Sequence, residues 1–322
     1  MKLTYDQIRS VTVGALSIAE QQDGIHFFKC TQKQIDAWTS ISETLGERAK
    51  TTTGVRLDFH TNSKELRFTP GHSGKYEILI NNLLRQRFRV GKEVPTDQEI
   101  VIPLCDPLGN PLEEARVTLC LPSHSVGIIQ SVELDDGAYI RVPDYDCKLL
   151  MIGDSITQGW DSTYDTFTYA YILSRALNAN SINQGIGGAI FHEDTLDEID
   201  FDPDIVTIAY GTNDYSKYKT FEEFQGHLTK FLDGIQSLYA NKKIFVISPI
   251  WRGKTDSPMG DFAKLRSMIA QEAEKRGLIH IDGLSMVPPI PELFADEWLH
   301  PNALGFGFFG ENVTREILKH LK

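Results

Sequence analysis

The sequence contains few of the residues and segments from which cross-links, metal centres and membrane spans are built. Only four of the 322 residues are cysteines, and no Cys-x-x-Cys pair is present. This argues against zinc-binding and thiol-exchange motifs, and a chain of this length can bury a large core without disulfides. No segment approaches the roughly 20 apolar residues of a membrane helix, and the first residues lack an apolar stretch like that of an export signal. We therefore expect a soluble, cytoplasmic protein with no membrane partner.

Positive charge is also scarce. The chain has 32 Lys and Arg residues against 44 Asp and Glu residues, for a formal net charge of −12. An acidic chain without a basic patch is poorly suited to neutralising phosphate groups, so nucleic acid is not expected as a partner. The histidines form no set with the spacing of metal ligands, so no metal is expected either. These exclusions leave a small molecule as the expected partner.

The first part of the chain is typical of an all-β domain. Residues 55–59 alternate in polarity, and residues 66–68 resume the alternation after turn residues, which predicts a hairpin. Many short strands at this spacing indicate a β-sandwich, jelly-roll-like, over residues 1–146. One short helix is predicted near residues 32–38, and the stretch 40–53 is ambiguous. Further strands are predicted at 76–80, 86–90, 99–104, 115–121, 127–134 and 138–142.

After residue 146 the pattern changes to apolar strands that alternate with longer segments of helical periodicity. This alternation predicts a parallel sheet covered by helices on both faces, in a second domain over residues 147–322. Thr220 and Asp261 stand where two of the helices should be capped, and Gly277 stands where one of them should end. The strands are predicted at 148–152, 181–183, 204–210, 243–249 and 278–282, and the helices at 168–177, 221–239, 261–276 and 303–321.

Four loops that follow predicted strands or precede the last helix carry glycine and polar residues. In an open parallel sheet, ligands bind beyond the carboxyl ends of the strands, so these loops are candidates for a site. Each is a weak signal alone, because a serine after Gly-Asp is often only a helix cap and a histidine before proline is often a surface residue. The loops are GDSITQG at 153–159, GIGG at 185–188, GTND at 211–214 and DEWLHPN at 296–302.

Taken together and in this order, the four loops resemble the four motif blocks of the SGNH, or GDSL-type, hydrolase superfamily. The resemblance covers about residues 147–322. It implies a three-layer α/β/α domain around a flavodoxin-like parallel sheet, and an enzyme that needs no cofactor. A β-sandwich ahead of such a domain is also similar in architecture to the two-domain acetyl esterases of carbohydrate esterase family 2.

The resemblance implies a role for individual residues of these loops. Ser155 matches the family's nucleophile, and His300 matches the base that takes its proton and later protonates the leaving group. The oxyanion hole would consist of the Ser155 N–H, the Gly188 N–H and the Asn213 side-chain amide. Gly187 is the alternative donor if the register of the loop is shifted.

The residues before the histidine depart from the family's pattern. The family carries Asp-x-x-His, whereas here Glu297 lies three residues before His300 and Asp296 lies four residues before it. Either carboxylate could orient the imidazole, and a Ser–His dyad oriented by a backbone carbonyl is a third option. A second departure is Ala189, where many relatives have an acidic residue.

The resemblance implies a serine esterase that removes a small acyl group, such as acetyl, from an alcohol or a carbohydrate. A thioesterase or lysophospholipase-like hydrolase of longer acyl chains stays open, as does a carbohydrate-binding protein without activity. The sequence does not identify the acyl acceptor, and an oligomer is compatible with it. Asp154 and Asp214 are expected to be structural. Trp160, Tyr215, Trp251 and Trp298 are expected in pocket walls or the core, and Arg252 is expected to contact an anionic substrate group or form a salt bridge.

Overall fold

The computed structural model describes residues 1–321. The chain divides into two compact units: residues 1–29 with 50–145, and residues 30–49 with the chain from residue 146 onward. The predicted division at 146/147 placed residues 30–49 in the first domain, whereas in the structure they pack with the second unit. One contact that holds them there joins the Gln34 side chain to that of Gln184, at 3.0 Å between nitrogen and oxygen.

The first unit consists of two antiparallel sheets. Their strand orders are β1-β4-β9-β6-β7 and β2-β3-β10-β5-β8. Buried side chains of both sheets, such as Leu57 and Val117 of one and Leu66 and Val132 of the other, belong to a single core, as in a sandwich. The elements are α1 (Tyr5–Val11), β1 (Thr12–Val13), β2 (Ser17–Gln21), β3 (Gly24–Phe28), β4 (Arg56–Thr61), β5 (Glu65–Pro70), β6 (Gly74–Ile80), β7 (Leu83–Val90), β8 (Ile100–Pro103), β9 (Ala115–Cys120) and β10 (Ile128–Leu134).

Most strands predicted in this unit are confirmed, but their pairing was not fully foreseen. The predicted hairpin at 55–68 is wrong: β4 pairs with β1 and β9, whereas β5 pairs with β10 and β8 in the other sheet. Alternating polarity reports which face of a strand is buried and does not identify its partner. The segment 138–142 forms only an isolated bridge, between Arg141 and His60. The helix α1 and the strands β2 and β3 were not predicted individually.

Two helices belong to the inserted segment 30–49. They are α2 (Gln32–Ile41), which was predicted in part, and α3 (Glu43–Ala49), which lies in the ambiguous stretch. A capping box begins α2: the Thr31 hydroxyl accepts the Gln34 N–H, and the Gln34 side chain accepts the Thr31 N–H. The buried side chains Ile35, Trp38 and Leu45 explain why this amphipathic pair packs on a larger body.

The second unit is built on a parallel sheet of order β12-β11-β13-β14-β15. Leu149 and Met151 belong to a core shared with α5 and α9, while Leu150 and Ile152 are buried on the opposite face. The further elements are β11 (Cys147–Gly153), α4 (Ser155–Gln158), α5 (Tyr169–Ala176), β12 (Ala179–Gly185), β13 (Ile205–Ala209), α6 (Asp214–Lys217), α7 (Phe221–Leu238), β14 (Lys243–Ile247), α8 (Phe262–Lys275), β15 (Ile279–Ile281) and α9 (Ala303–Leu318).

The predicted α/β class and the order of strands and helices in this unit are confirmed. Thr220 and Asp261 cap α7 and α8 as expected, and Gly277 has a φ of +69° just after α8. In the ladder, Gly153 lies opposite Gly185 on one side and Ala209 on the other. The loops that follow β11, β12 and β13 therefore all leave the sheet at the carboxyl ends of the strands. Within the described residues, no helix is long and apolar enough to span a membrane.

Candidate active site

Ser155 lies just beyond the carboxyl end of strand β11, which is the neighbour of the middle strand β13. Asp154 is the cap of the short helix α4, and its Oδ1 accepts the Ile156 N–H at 2.9 Å. Ser155 is the first residue of that helix and is only 6% exposed. The cap and the strand end thus determine where the hydroxyl lies.

Ser155 and His300, which are 145 positions apart in the chain, are in direct contact. The Ser155 Oγ lies 2.9 Å from His300 Nε2. The other ring nitrogen, Nδ1, lies 3.0 Å from Asp296 Oδ2. The three side chains form a continuous series in which a carboxylate orients the imidazole and the imidazole can accept the serine proton.

Of the two acids before the histidine, Asp296 is the one that contacts it. Its second oxygen, Oδ1, accepts the backbone N–H groups of Trp298, Leu299 and His300 at 2.8 to 3.1 Å. Desolvation acts to raise the pKa of Asp296, but these three N–H groups and the nearby His300 outweigh it, so the pKa is lowered. Glu297 is exposed, with a φ of +64°, and among the described residues its carboxylate forms no ion pair.

A second carboxylate near the histidine was not predicted. Asp161 Oδ2 lies 3.4 Å from His300 Nδ1, and the Asp161 side chain is 43% exposed. Its backbone has a φ of +66°, which is uncommon for a residue other than glycine. Asp161 lies outside the recognised motifs, so no signal in the sequence pointed to it.

The loop after β12 carries the predicted glycine donor of the oxyanion hole, Gly188, and its alternative, Gly187. Gly188 has a φ of +88°, a conformation that favours glycine. The Gly187 N–H donates to Gln158 Oε1 at 2.6 Å, and the Ala189 N–H donates to Ile186 O at 2.9 Å. Within the described residues the Gly188 N–H meets no protein acceptor, so it is better placed than Gly187 to serve a ligand.

Asn213 reaches the same loop from the end of β13. Its Nδ2 donates to Ala189 O at 3.0 Å. A side-chain amide has two N–H donors, so this bond fixes the group and leaves the second donor for a ligand.

Asp214 connects the loop after β12 with the loop after β13. Its carboxylate accepts the N–H groups of Phe191 and Gly211, each at 2.9 Å. Burial raises the pKa of Asp214 and of Asp154 to about 7. These contacts agree with the structural roles that the sequence suggested.

Among the described residues, Arg252 forms no salt bridge, which was one of the two expectations that the sequence raised. Its guanidinium donates to the carbonyls of Thr212 and Lys254, each at 2.7 Å, and lies 5.2 Å from the centre of the Tyr215 ring. Desolvation lowers the pKa of Arg252. The residue therefore stabilises the loops after β13 and β14.

Of the four aromatic candidates, Trp160 lies beside the site, with its ring 6.3 Å from that of His300.

Two groups of described side chains have ligand atoms close enough to share a metal ion: His192, Glu193 and His227, and Asp161, Asp296 and His300. In the first, Glu193 accepts from His227 Nδ1 at 2.7 Å and from Lys230 at 2.9 Å. In the second, the histidine already contacts both carboxylates and the serine. Hydrogen bonds and ion pairs thus account for the second group and for Glu193 and His227 of the first, whereas His192 Nδ1 is buried without a hydrogen-bond partner among the described residues.

The site contains a serine, a histidine and an aspartate in a hydrogen-bonded series, at the carboxyl ends of the strands of an open parallel sheet. This arrangement is typical of the serine hydrolases. Residues 151–307 match the model of the GDSL-like lipase/acylhydrolase family. The resemblance to the SGNH, or GDSL-type, hydrolases is thereby confirmed, and the match supports the assignment as a carboxylic ester hydrolase. Among curated proteins, none matches the chain in sequence.

Solved structures share the fold across both units. The salicylyl-acyltransferase SsfX3 from a tetracycline biosynthetic pathway is 19% identical, with a TM-score of 0.80 over 96% of this chain and 94% of that one. A family two carbohydrate esterase from Cellvibrio japonicus is 15% identical, with a TM-score of 0.65 over 96% and 94%. A family two carbohydrate esterase from Clostridium thermocellum, in complex with cellohexaose, is 17% identical, with a TM-score of 0.63 over 84% and 93%. The predicted two-domain architecture is confirmed.

Proposed function

We propose that the protein is a serine esterase that hydrolyses small acyl esters, with acetyl esters of alcohols or carbohydrates as the preferred class. The observation that carries the proposal is the series of contacts from Ser155 Oγ to His300 Nε2 at 2.9 Å and from His300 Nδ1 to Asp296 Oδ2 at 3.0 Å.

In the first half of the reaction, Ser155 attacks the ester carbonyl while His300 takes its proton. Asp296 keeps the Nδ1–H of the imidazole pointed at its carboxylate, which leaves Nε2 as the base and stabilises the imidazolium that forms. The carbonyl oxygen becomes negative as the bond forms. The Ser155 N–H, the Gly188 N–H and the second N–H of Asn213 would donate to it.

The second half of the reaction releases the acyl group. His300 gives its proton to the leaving alkoxide, and the acyl group stays on Ser155 as an ester. Water then attacks this acyl-enzyme, again with His300 as the base, and the acid and free serine result. None of these steps calls on a cofactor.

The carbohydrate part of the proposal has a separate basis. It relies on the two-unit architecture shared with the family two carbohydrate esterases, one of which holds cellohexaose. Such likeness extends to the fold alone. Acetylated sugars are therefore the second set of substrates to test, after model esters.

The test compares hydrolysis of p-nitrophenyl acetate, butyrate and octanoate by the wild type, Ser155→Ala and the control Ser17→Ala. Ser17 is an exposed serine on β2. We expect turnover of acetate and an acyl adduct by intact mass in the wild type and in Ser17→Ala, and neither in Ser155→Ala. A preference for octanoate would favour a lipase-like or thioesterase activity. If all three proteins lack turnover and adduct, the proposal is wrong, and a binding function gains support.

A further inference from the structure

The inserted helix α3 brings a guanidinium to the loop that carries the predicted oxyanion donor. Arg48 Nη1 donates to Gly187 O at 2.7 Å, and the guanidinium carbon lies 4.9 Å from the centre of the Trp160 ring. Trp160 in turn lies beside His300. Arg48 is therefore held between the oxyanion loop and an aromatic wall of the catalytic centre.

A second cation reaches the same loop from the end of α6. Lys217 Nζ donates to Gly188 O at 2.6 Å. Lys217 as a whole residue is exposed, but desolvation of its ammonium group, reinforced by Arg48 and opposed by Asp214, lowers its pKa. Among the described residues, no carboxylate forms an ion pair with Lys217.

These two cationic groups converge on one point. A Cβ built on Gly188 would lie 3.2 Å from Arg48 Nη1, 4.0 Å from Lys217 Nζ and 3.5 Å from Leu45 Cδ2. Bringing two positive charges this close costs free energy, which an anion between them would recover through charge-assisted hydrogen bonds.

We infer that Arg48 and Lys217 form an anion subsite beside Gly188, and that the preferred substrates are esters with a carboxylate or phosphate close to the scissile bond. The inference rests on the proposed esterase function and narrows its substrate class. Because the chain has a net charge of −12, most of its surface repels an anionic substrate. The pair Arg48 and Lys217 attracts it, so the anion is directed to this subsite. The anion could belong to the acyl group or to the alcohol.

The kinetic test uses pairs of substrates that differ only in charge. For the acyl side, p-nitrophenyl half-esters of succinate, glutarate and adipate are compared with the matching terminal amides, after subtraction of uncatalysed hydrolysis. For the alcohol side, the acetyl ester of 3-hydroxybenzoate is compared with that of 3-hydroxybenzamide. The proteins are the wild type, Arg48→Gln, Lys217→Met and the control Lys219→Met, an exposed lysine two positions from Lys217.

In one of the two series, we expect the wild type and Lys219→Met to have a higher kcat/KM for the acid than for the amide, by about tenfold to a hundredfold. In Arg48→Gln and Lys217→Met this ratio should fall towards one. Both residues also hold the oxyanion loop, and loss of that support would lower kcat/KM for acid and amide alike. A ratio that stays unchanged in both variants, or a wild type that prefers neither acid, overturns the inference.

A binding measurement separates failure of this inference from failure of the esterase proposal. Succinanilic acid and its neutral counterpart N-phenylsuccinamide are titrated into the wild type, Ser155→Ala and Arg48→Gln by calorimetry. We expect tighter binding of the acid to the first two proteins and no difference in Arg48→Gln. If no ester is turned over but the acid still binds in this pattern, the anion subsite stands and the esterase proposal fails. Equal affinities for acid and amide in the wild type refute the subsite.

Discussion

The exchange of Asp296 for asparagine tests how the histidine is held. Asparagine keeps an oxygen that can accept the backbone N–H groups of residues 298–300, so the loop should persist. It replaces Oδ2 by an NH₂ group, which cannot accept from His300 Nδ1. The imidazole then loses the partner that selects its tautomer, a change that costs roughly 10⁴-fold in kcat in enzymes with one such carboxylate.

Asp161 should reduce that loss. Its Oδ2 lies 3.4 Å from the same nitrogen, on a side chain that is 43% exposed. A long, exposed contact of this kind contributes only about 1 kcal/mol, or roughly a factor of five to ten. We therefore expect Asp296→Asn to lose about 10³-fold in kcat/KM. Asp161→Asn should lose less than about threefold alone and about tenfold in the Asp296→Asn background.

The assay is a double-mutant cycle on p-nitrophenyl acetate with Glu297→Gln as the matched control, since Glu297 is a neighbouring, exposed acid. Glu297→Gln should keep wild-type activity. Thermal unfolding of each variant shows whether the fold persists. Two results would refute this account. One is a loss in Glu297→Gln as large as in Asp296→Asn, and the other is a total loss below tenfold, relative to the wild type, in the double variant.

Three further predictions address other parts of the site. Asn213→Ala should lower kcat on p-nitrophenyl acetate by about 10²- to 10³-fold with little change in KM, and a variant equal to the wild type would remove Asn213 from the oxyanion hole. Gly188→Ala should lower both activity and the melting temperature, because the φ of +88° is strained for alanine and the new Cβ would lie 3.2 Å from Arg48 Nη1; an unchanged kcat would contradict this. Asp154→Asn should become more stable relative to the wild type as pH rises from about 4 to 7. Burial raises the folded-state pKa of Asp154 to about 7, so the folded wild type binds the extra proton and loses stability through this window; denaturant unfolding at both pH values checks the sign.

Much of the second unit could be predicted because its signals are local. An apolar run followed by an amphipathic segment identifies a strand and a helix without reference to the rest of the chain. The side chains of Thr220 and Asp261 cap the helices that begin beside them. The loops with Ser155 and Asn213 were recognised in the same way, since short motifs of glycine and polar residues follow strand ends.

The first unit was less predictable because its partners are distant in sequence. Residues 55–59 and 66–68 are close in the chain, and a hairpin was the simplest interpretation. In the structure they enter different sheets and pair with strands about 30 to 70 residues away, β1 and β9 for one and β8 and β10 for the other. Alternating polarity is the same for either pairing, so it could not distinguish them.

From the sequence alone, the class of fold could be predicted, and Ser155, His300, Gly188 and Asn213 could be proposed as residues of the site. The tertiary structure alone decided that Asp296 rather than Glu297 contacts His300, that Asp161 lies near the same nitrogen, and that α3 delivers Arg48 to Gly187. The physical reason is the distance along the sequence over which each kind of interaction acts. Capping, periodicity and motif spacing act within a few residues, whereas the choice among carboxylates and the convergence of two cations depend on where separate segments meet.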